Sequence, residues 1–416
     1  MSFDIEKNWF LTISAIVIAL GITIGTGSLY RFIYNYNLIM TFTMFIMAIV
    51  VFYQYFVPIS PNIKSGTTMI NKNISMPGII LISFMIFVPL VSDILNNVPS
   101  LEIVYFYIAM LSLSILLNRK FRQKILNAYL IIIVVLSIIS MLMILLSTFT
   151  EYLAYFPQIR TSFHFNTDFY FISSISGNPL WIRNQSIFWE PGAFGFHLIF
   201  ATLLAYKRKN TILIVILILT CISTFSTTVF FFLILLCIYH LFFGKNRLKL
   251  FITIMSISIL FFIVVNLIIE NKLILELMAQ ALYKKFIPSS RNYISYVSRT
   301  RFTMEALKLF LDNFFIGVGH YGTTVELEVI KSRAAVTTSG LAGLLAELGL
   351  FGVFCIFLYT RYFWKFGLIA IPITMIWLNG EFLQYSPLAI FILADSADNF
   401  ANSIFPQKVN IVDNTE

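Results

Sequence analysis

Three stretches of this chain combine residue types that could handle a phosphate ester, and each borders an apolar run. The first reads Arg183-Asn-Gln-Ser-Ile-Phe-Trp-Glu190-Pro191-Gly192-Ala-Phe-Gly195. Pro191 suits the first turn of a helix, because its missing N–H would be unpaired there anyway. Glu190 then stands at the helix N-terminus, where the dipole favours a carboxylate. Two readings follow: a helix cap paired with Arg183, or an Arg and a Glu at a membrane boundary near where a lipid phosphate would lie. His197 comes seven residues later, two turns along the same helix face, and suits a hydrogen-bonded packing residue.

The second stretch, Ser298-Arg299-Thr-Arg301, leads through Leu307 to Gly317-Val-Gly319-His320-Tyr-Gly322. An amphipathic helix is expected from Thr303 to Leu311, with Met304, Leu307 and Leu311 on one side. The close glycines predict a tight turn; its backbone N–H groups either serve the turn alone or face an anion. The paired arginines favour phosphate, which guanidinium recognises well, with a solvated loop or lipid-headgroup contact as the other reading. Arg291 and Arg333 extend this basic segment. The third stretch runs from Thr337-Thr338-Ser339-Gly340 to Ala346-Glu347-Leu348-Gly349-Leu350-Phe351-Gly352. Its small residues favour close helix packing, and an acid such as Glu347 inside a span calls for a role or a partner, either Arg333 or a polar group on a neighbouring helix.

These stretches need a membrane frame. Hydrophobic residues are 59% of the 416 and charged residues only 11%, against about 25% charged in a soluble chain, so a soluble fold is excluded. Apolar runs predict an all-α polytopic protein of about twelve transmembrane helices, near 9–28, 38–57, 77–95, 101–118, 125–148, 190–206, 211–226, 228–243, 250–269, 338–360, 366–379 and 384–400. The last two are short and diluted by Asn379, Glu381, Asp395 and Asp398, which leaves a re-entrant hairpin open. Basic residues in alternate short connections, including Arg119, Lys120, Arg122, Lys124, Lys207, Arg208 and Lys209, place both termini in the cytoplasm. The whole chain, 1–416, reads as one membrane domain with two long outer loops, 149–189 and the basic 270–337. The first apolar segment is expected to be a retained span. Cys221, Cys237 and Cys355 lie in apolar runs and suit packing. Neither a metal nor a cofactor is expected, and the +9 charge is met by loop anchors, without nucleic acid.

In their order, the three stretches resemble the O-antigen polymerase/ligase superfamily (Wzy-type polymerases and related ligases): R-x(6)-E-P-G-x-F-G, then a long outer loop with arginine, an amphipathic helix and G-V-G, then A-E-L-G-L-x-G. The likeness covers roughly 183–352. It implies a fold related to the lipid-dependent GT-C-type glycosyltransferases, with short helices in the outer loop. It also implies a reaction on undecaprenyl-pyrophosphate-linked glycans at the outer, periplasmic face of a bacterial cytoplasmic membrane. By that match Glu190, Arg299 and Arg301 would be catalytic, and Arg183, Arg291, Gly317, Gly319, His320 and Arg333 would bind pyrophosphate or glycan. His320 and Asp168 stand behind Glu190 as candidate bases. Partners implied are the lipid-linked donor and acceptor, membrane lipids and a chain-length regulator. Ligases usually carry a histidine where this chain has Thr338, which favours the polymerase. The alternatives are the ligase and a polysaccharide transporter; the latter would be expected to have short outer loops and a charged central cavity.

Overall fold

The structure, a computed structural model, describes residues 2–26, 28, 36–56, 76–96, 101–147, 158–159, 167–170, 173–178, 181–243, 291–319, 339–379, 383 and 385–404. The helices among them are α1 (Ser2–Gly25), α2 (Tyr36–Phe56), α3 (Met76–Leu95), α4 (Leu101–Leu116), α5 (Arg119–Ser147), α6 (Pro191–Lys207), α7 (Thr211–Ser223) and α8 (Thr227–Phe243). They continue with α9 (Arg291–Asp312), α10 (Gly340–Leu348), α11 (Leu350–Phe363), α12 (Ala370–Asn379) and α13 (Pro387–Ile404).

The surface pattern of these helices is that of a chain solvated by lipid. On α2 the exposed residues Leu38, Phe42, Phe45, Ile49 and Phe52 recur at one helical face. On α5 Ile131, Val135, Ile138, Leu142 and Leu145 recur at the same spacing. An apolar stripe turned outward is unfavourable in water and natural in hydrocarbon. Three described segments are long and apolar enough to cross a membrane: Asn37–Tyr55, Arg119–Leu146 and Leu350–Asn379. Five further apolar helices are shorter. The expected count of twelve is therefore not reached among the described residues, and the expected span 250–269 lies outside them.

One of the expected spans, 338–360, is also broken: it divides at Gly349 into α10 and α11. The connection expected between it and the span 366–379 turns at Gly367, whose φ is 64°; the rings of Tyr359 and Trp377 then stand 5.6 Å apart, which an unbroken helix forbids. Trp377 stacks on Phe196 at 4.4 Å and donates its Nε1–H to the Phe196 carbonyl at 3.1 Å, fixing α12 against α6.

The all-α expectation needs a second amendment. The first long loop carries a four-stranded antiparallel sheet of β1 (Gln158–Ile159), β2 (Thr167–Tyr170), β3 (Ser173–Asn178) and β4 (Trp181–Ser186), paired in chain order. Asn178 faces Trp181, so two residues connect β3 to β4. Strand β4 packs on α5 and α6. Asn184 pins it there by donating to the hydroxyls of Ser140 on α5 and Ser223 on α7, at 3.0 and 2.8 Å.

The acids in the last helix have a partner that the sequence reading placed in a loop. Arg122 is fully buried. Its Nε donates to Asp395 at 2.7 Å, its Nη2 to Asp398, and its Nη1 to the Leu117 carbonyl at 2.8 Å, among others. The pairing joins α4, α5 and α13. It explains how Asp395 and Asp398 are tolerated in an otherwise apolar helix.

Candidate functional site

The break at Gly349 leaves the last carbonyls of α10 without helical partners, as every helix C-terminus does. They are taken up by the glycine turn of the second stretch. Val318 N–H donates to the Ala346 carbonyl and Gly319 N–H to the Glu347 carbonyl, each at 3.0 Å. In return Leu350 N–H, at the start of α11, donates to the Phe314 carbonyl at 2.7 Å. Gly317 and Gly319 both have positive φ, at 75° and 79°. The G-V-G and A-E-L-G sequences are thus two halves of one backbone joint. This corrects the anion-facing reading of the turn, because the N–H groups of Gly317, Val318 and Gly319 all donate to main-chain carbonyls.

Polar side chains gather beneath the joint. From the end of α3, Ser92 donates to the Ile316 carbonyl at 2.8 Å and Asn96 to the Gly317 carbonyl at 3.2 Å. Glu347, fully buried, accepts from the Tyr385 hydroxyl at 2.7 Å. That hydroxyl, just before α13, is the polar partner the intramembrane acid required. Tyr385 meets Tyr107 of α4 edge-on at 6.4 Å, and Asp93, also buried, is the neighbour of Ser92 on α3. Sequence reading missed Asp93 and Tyr385. An acid inside an apolar run was the available signal for Asp93; Tyr385 carried none.

The first stretch forms the strand-to-helix passage from β4 to α6. Glu190 occupies the N-cap position in extended conformation, with Pro191 following, but its side chain makes no capping hydrogen bond. Among the described residues its carboxylate has no ion-pair partner, so the paired-cap reading with Arg183 does not hold. Arg183 instead donates from Nε to the Thr224 carbonyl at 3.3 Å and from Nη2 to the Phe225 carbonyl at 3.2 Å. Those carbonyls belong to the turn between α7 and α8, where Phe225 has a φ of 47°. Two donors of Arg183 are therefore committed to clasping a turn at the end of α7, where a cation also complements the helix dipole.

His197 is a packing residue. Its Nε2 lies 2.6 Å from the Thr26 carbonyl, which can only accept, so Nε2 carries the proton and Nδ1 accepts from the Tyr129 hydroxyl at 2.7 Å. Thr26 in turn accepts from Leu388 N–H through its hydroxyl, tying α1 to α13. Gln185, in the same strand, is fully buried with neither amide atom bonded among the described residues; sequence reading had passed over it.

The basic stretch forms α9, which begins at Arg291 and is longer than the expected 303–311. Phe302 and Ala306 bury against Ala342 and Ala346 of α10, so α9 is held beside the joint. Arg301 is exposed and pairs with Glu305 at 2.8 Å. Only the backbone of Arg291 and Arg299 is described. Asp168 sits opposite Ile175 in the sheet, again by backbone alone. His320, Arg333 and Thr338 lie outside the described residues. Between α9, α10 and α12 runs an apolar groove of about 310 Å³, lined by Thr303, Leu307, Leu341, Leu345, Met375 and Ile376. Its polar end is Ser339, which donates to Asn379.

Residues 212–357, from α7 into α11, match the Wzy_C family model, described as O-antigen ligase. Neither a curated protein nor a solved structure matches the chain. The match takes in α9, the G-V-G turn and the A-E-L-G break, and leaves the Arg183–Gly195 stretch outside. The apolar helices mark a membrane protein, and over about a third of its length that protein carries an O-antigen ligase family domain, consistent with the O-antigen polymerase/ligase superfamily.

Proposed function

We propose that the protein polymerises undecaprenyl-pyrophosphate-linked oligosaccharide repeat units into a surface polysaccharide, at the periplasmic face of a bacterial cytoplasmic membrane with both termini inside. The observation that carries this reading is the seating of α9. Its contact through Phe302 and Ala306 holds a helix bearing Arg291, Arg299 and Arg301 over an apolar groove and next to the glycine joint. A basic helix beside an apolar groove suits a substrate with a charged head and a hydrocarbon tail.

In the proposed reaction the bond from the sugar anomeric carbon to the lipid pyrophosphate breaks. A new bond forms to a hydroxyl oxygen of the next lipid-linked repeat unit, and that hydroxyl loses its proton. Negative charge grows on the departing pyrophosphate, where Arg299 and Arg301, with Arg291 and Arg333, would stabilise it. Removing one such fixed charge typically costs about 10²–10³ in rate. Glu190 is the proposed base; its freedom from any capping bond supports this. Arg183 contributes by holding the strand that leads to Glu190 against the turn at Thr224 and Phe225. A chain-length regulator is a proposed partner.

The family model's own description favours a second reading, in which the finished polymer passes to a lipid acceptor. Deleting the gene in its host separates the two. Loss of the long ladder, with single repeat units still on the cell surface, supports polymerisation. Full-length chains accumulating on undecaprenyl pyrophosphate would establish the ligase instead.

A further inference from the structure

Helix α9 turns an unusual face outward. Val297, Met304 and Leu311 are exposed by 40%, 65% and 71%, and Phe315 just beyond the helix by 75%. Interleaved on the same face, at the spacing 297, 301, 304, 308, 311, 315, stand Arg301 and Lys308, both exposed. The outward stripes of α2 and α5 contain apolar residues alone. That difference matters, because a stripe in hydrocarbon excludes charge, whereas one at the headgroup boundary mixes the two. The 22 residues of α9 hold Arg291, Arg299, Arg301 and Lys308 against Glu305 and Asp312. Such a helix is too charged to cross a bilayer and carries a net positive charge.

The opposite face is already occupied, with Phe302 and Ala306 packed on α10. Among the described residues Arg301 bonds only Glu305, through Nε, and Lys308 has no bonded partner. We infer that α9 lies in the plane of the membrane and docks its outer face on the headgroup layer. Met304, Leu311 and Phe315 enter the acyl boundary while Lys308 meets the phosphates of anionic lipid. Basic groups near an anionic surface are attracted within a Debye length, so the contact depends on lipid charge. The inference stands apart from the proposed reaction and needs only the helix and its exposed face.

The test uses the full-length protein in a background free of native cysteine, with Val297→Cys, Met304→Cys or Leu311→Cys carrying a spin label. It is reconstituted in phosphatidylcholine vesicles with or without phosphatidylglycerol. Depth is read from the balance of oxygen and water-soluble nickel relaxation. The expected result is one shallow depth at all three sites, together with a retreat of Leu311 towards water on Lys308→Glu only when phosphatidylglycerol is present. Depth changing by about 10 Å between successive sites, seven residues at the helical rise, would mean a crossing helix and overturn the inference. Labels open to water at all three sites would overturn it too. A Lys308→Glu response that ignores phosphatidylglycerol would remove the phosphate contact.

Discussion

Gly317 and Gly349 approach each other so closely that neither has room for a side chain. A Cβ on Gly349 would stand 2.7 Å from the Gly317 nitrogen, and one on Gly317 would stand 2.7 Å from the Gly349 nitrogen while overlapping the Glu347 carbonyl. Both have positive φ. Two sequence motifs about thirty residues apart therefore meet through bare backbone.

Gly317→Ala and Gly349→Ala should each disrupt the joint. The backbone conformation alone costs about 1–3 kcal/mol for a residue with a side chain, and the overlap adds to it. Gly367 has the same kind of φ, at 64°, with no atom within 4 Å of a built Cβ. Gly367→Ala should bear only the conformational cost. Thermal unfolding in detergent should rank Gly367→Ala well above the other two; equal losses would mean that the close approach is not what requires glycine.

The Glu347–Tyr385 hydrogen bond separates a structural carboxylate from a chemical one. Tyr385→Phe takes one hydrogen bond from a buried acceptor, which costs about 1–3 kcal/mol. Glu347→Gln keeps an oxygen for Tyr385 and should retain most stability and activity. A Gln variant that is stable but inactive would show that Glu347 takes part in proton transfer.

Among the described residues Arg122 should be the most sensitive cation. Breaking a buried pair by removing one member costs about 3–5 kcal/mol. Arg122→Met strands two carboxylates and should fail to accumulate in the membrane. Asp395→Asn should be worse than Asp398→Asn, because the Asp395 side chain is 3% exposed and that of Asp398 11%. Expression and detergent half-life of the three variants check this order.

What could be read from sequence was what depends on local pattern. The apolar run behind the expected span 125–148 sits in a single helix, α5, as far as its end at Ser147, and the amphipathic segment around Met304 is indeed helical. Arg122 was misplaced because its neighbours Arg119, Lys120 and Lys124 are ordinary loop anchors, and only the distant Asp395 reveals why it is buried. The sheet escaped notice because its strands are two to six residues long and rich in polar residues, without clean alternation. The break at Gly349 looks in sequence like a small residue within an apolar run. That the G-V-G amides serve carbonyls of the third stretch follows only from a contact across about thirty residues.

Glu190 and Arg183 should behave differently although they are motif neighbours. Glu190→Gln should remove activity and leave the unfolding temperature unchanged, since no capping bond is lost. Arg183→Lys keeps the charge but not the clasp on Thr224 and Phe225, so activity and unfolding temperature should fall together. Paired measurements on purified variants check both. An active Glu190→Gln protein would take that residue out of the mechanism.

The most direct measurement supplies the purified protein, in proteoliposomes, with a lipid-linked repeat unit as its sole glycan and separates the products by size. The account predicts a ladder of longer chains still attached to undecaprenyl pyrophosphate, lost on Glu190→Gln. No elongation under these conditions, with transfer appearing only when a lipid acceptor is added, would contradict it.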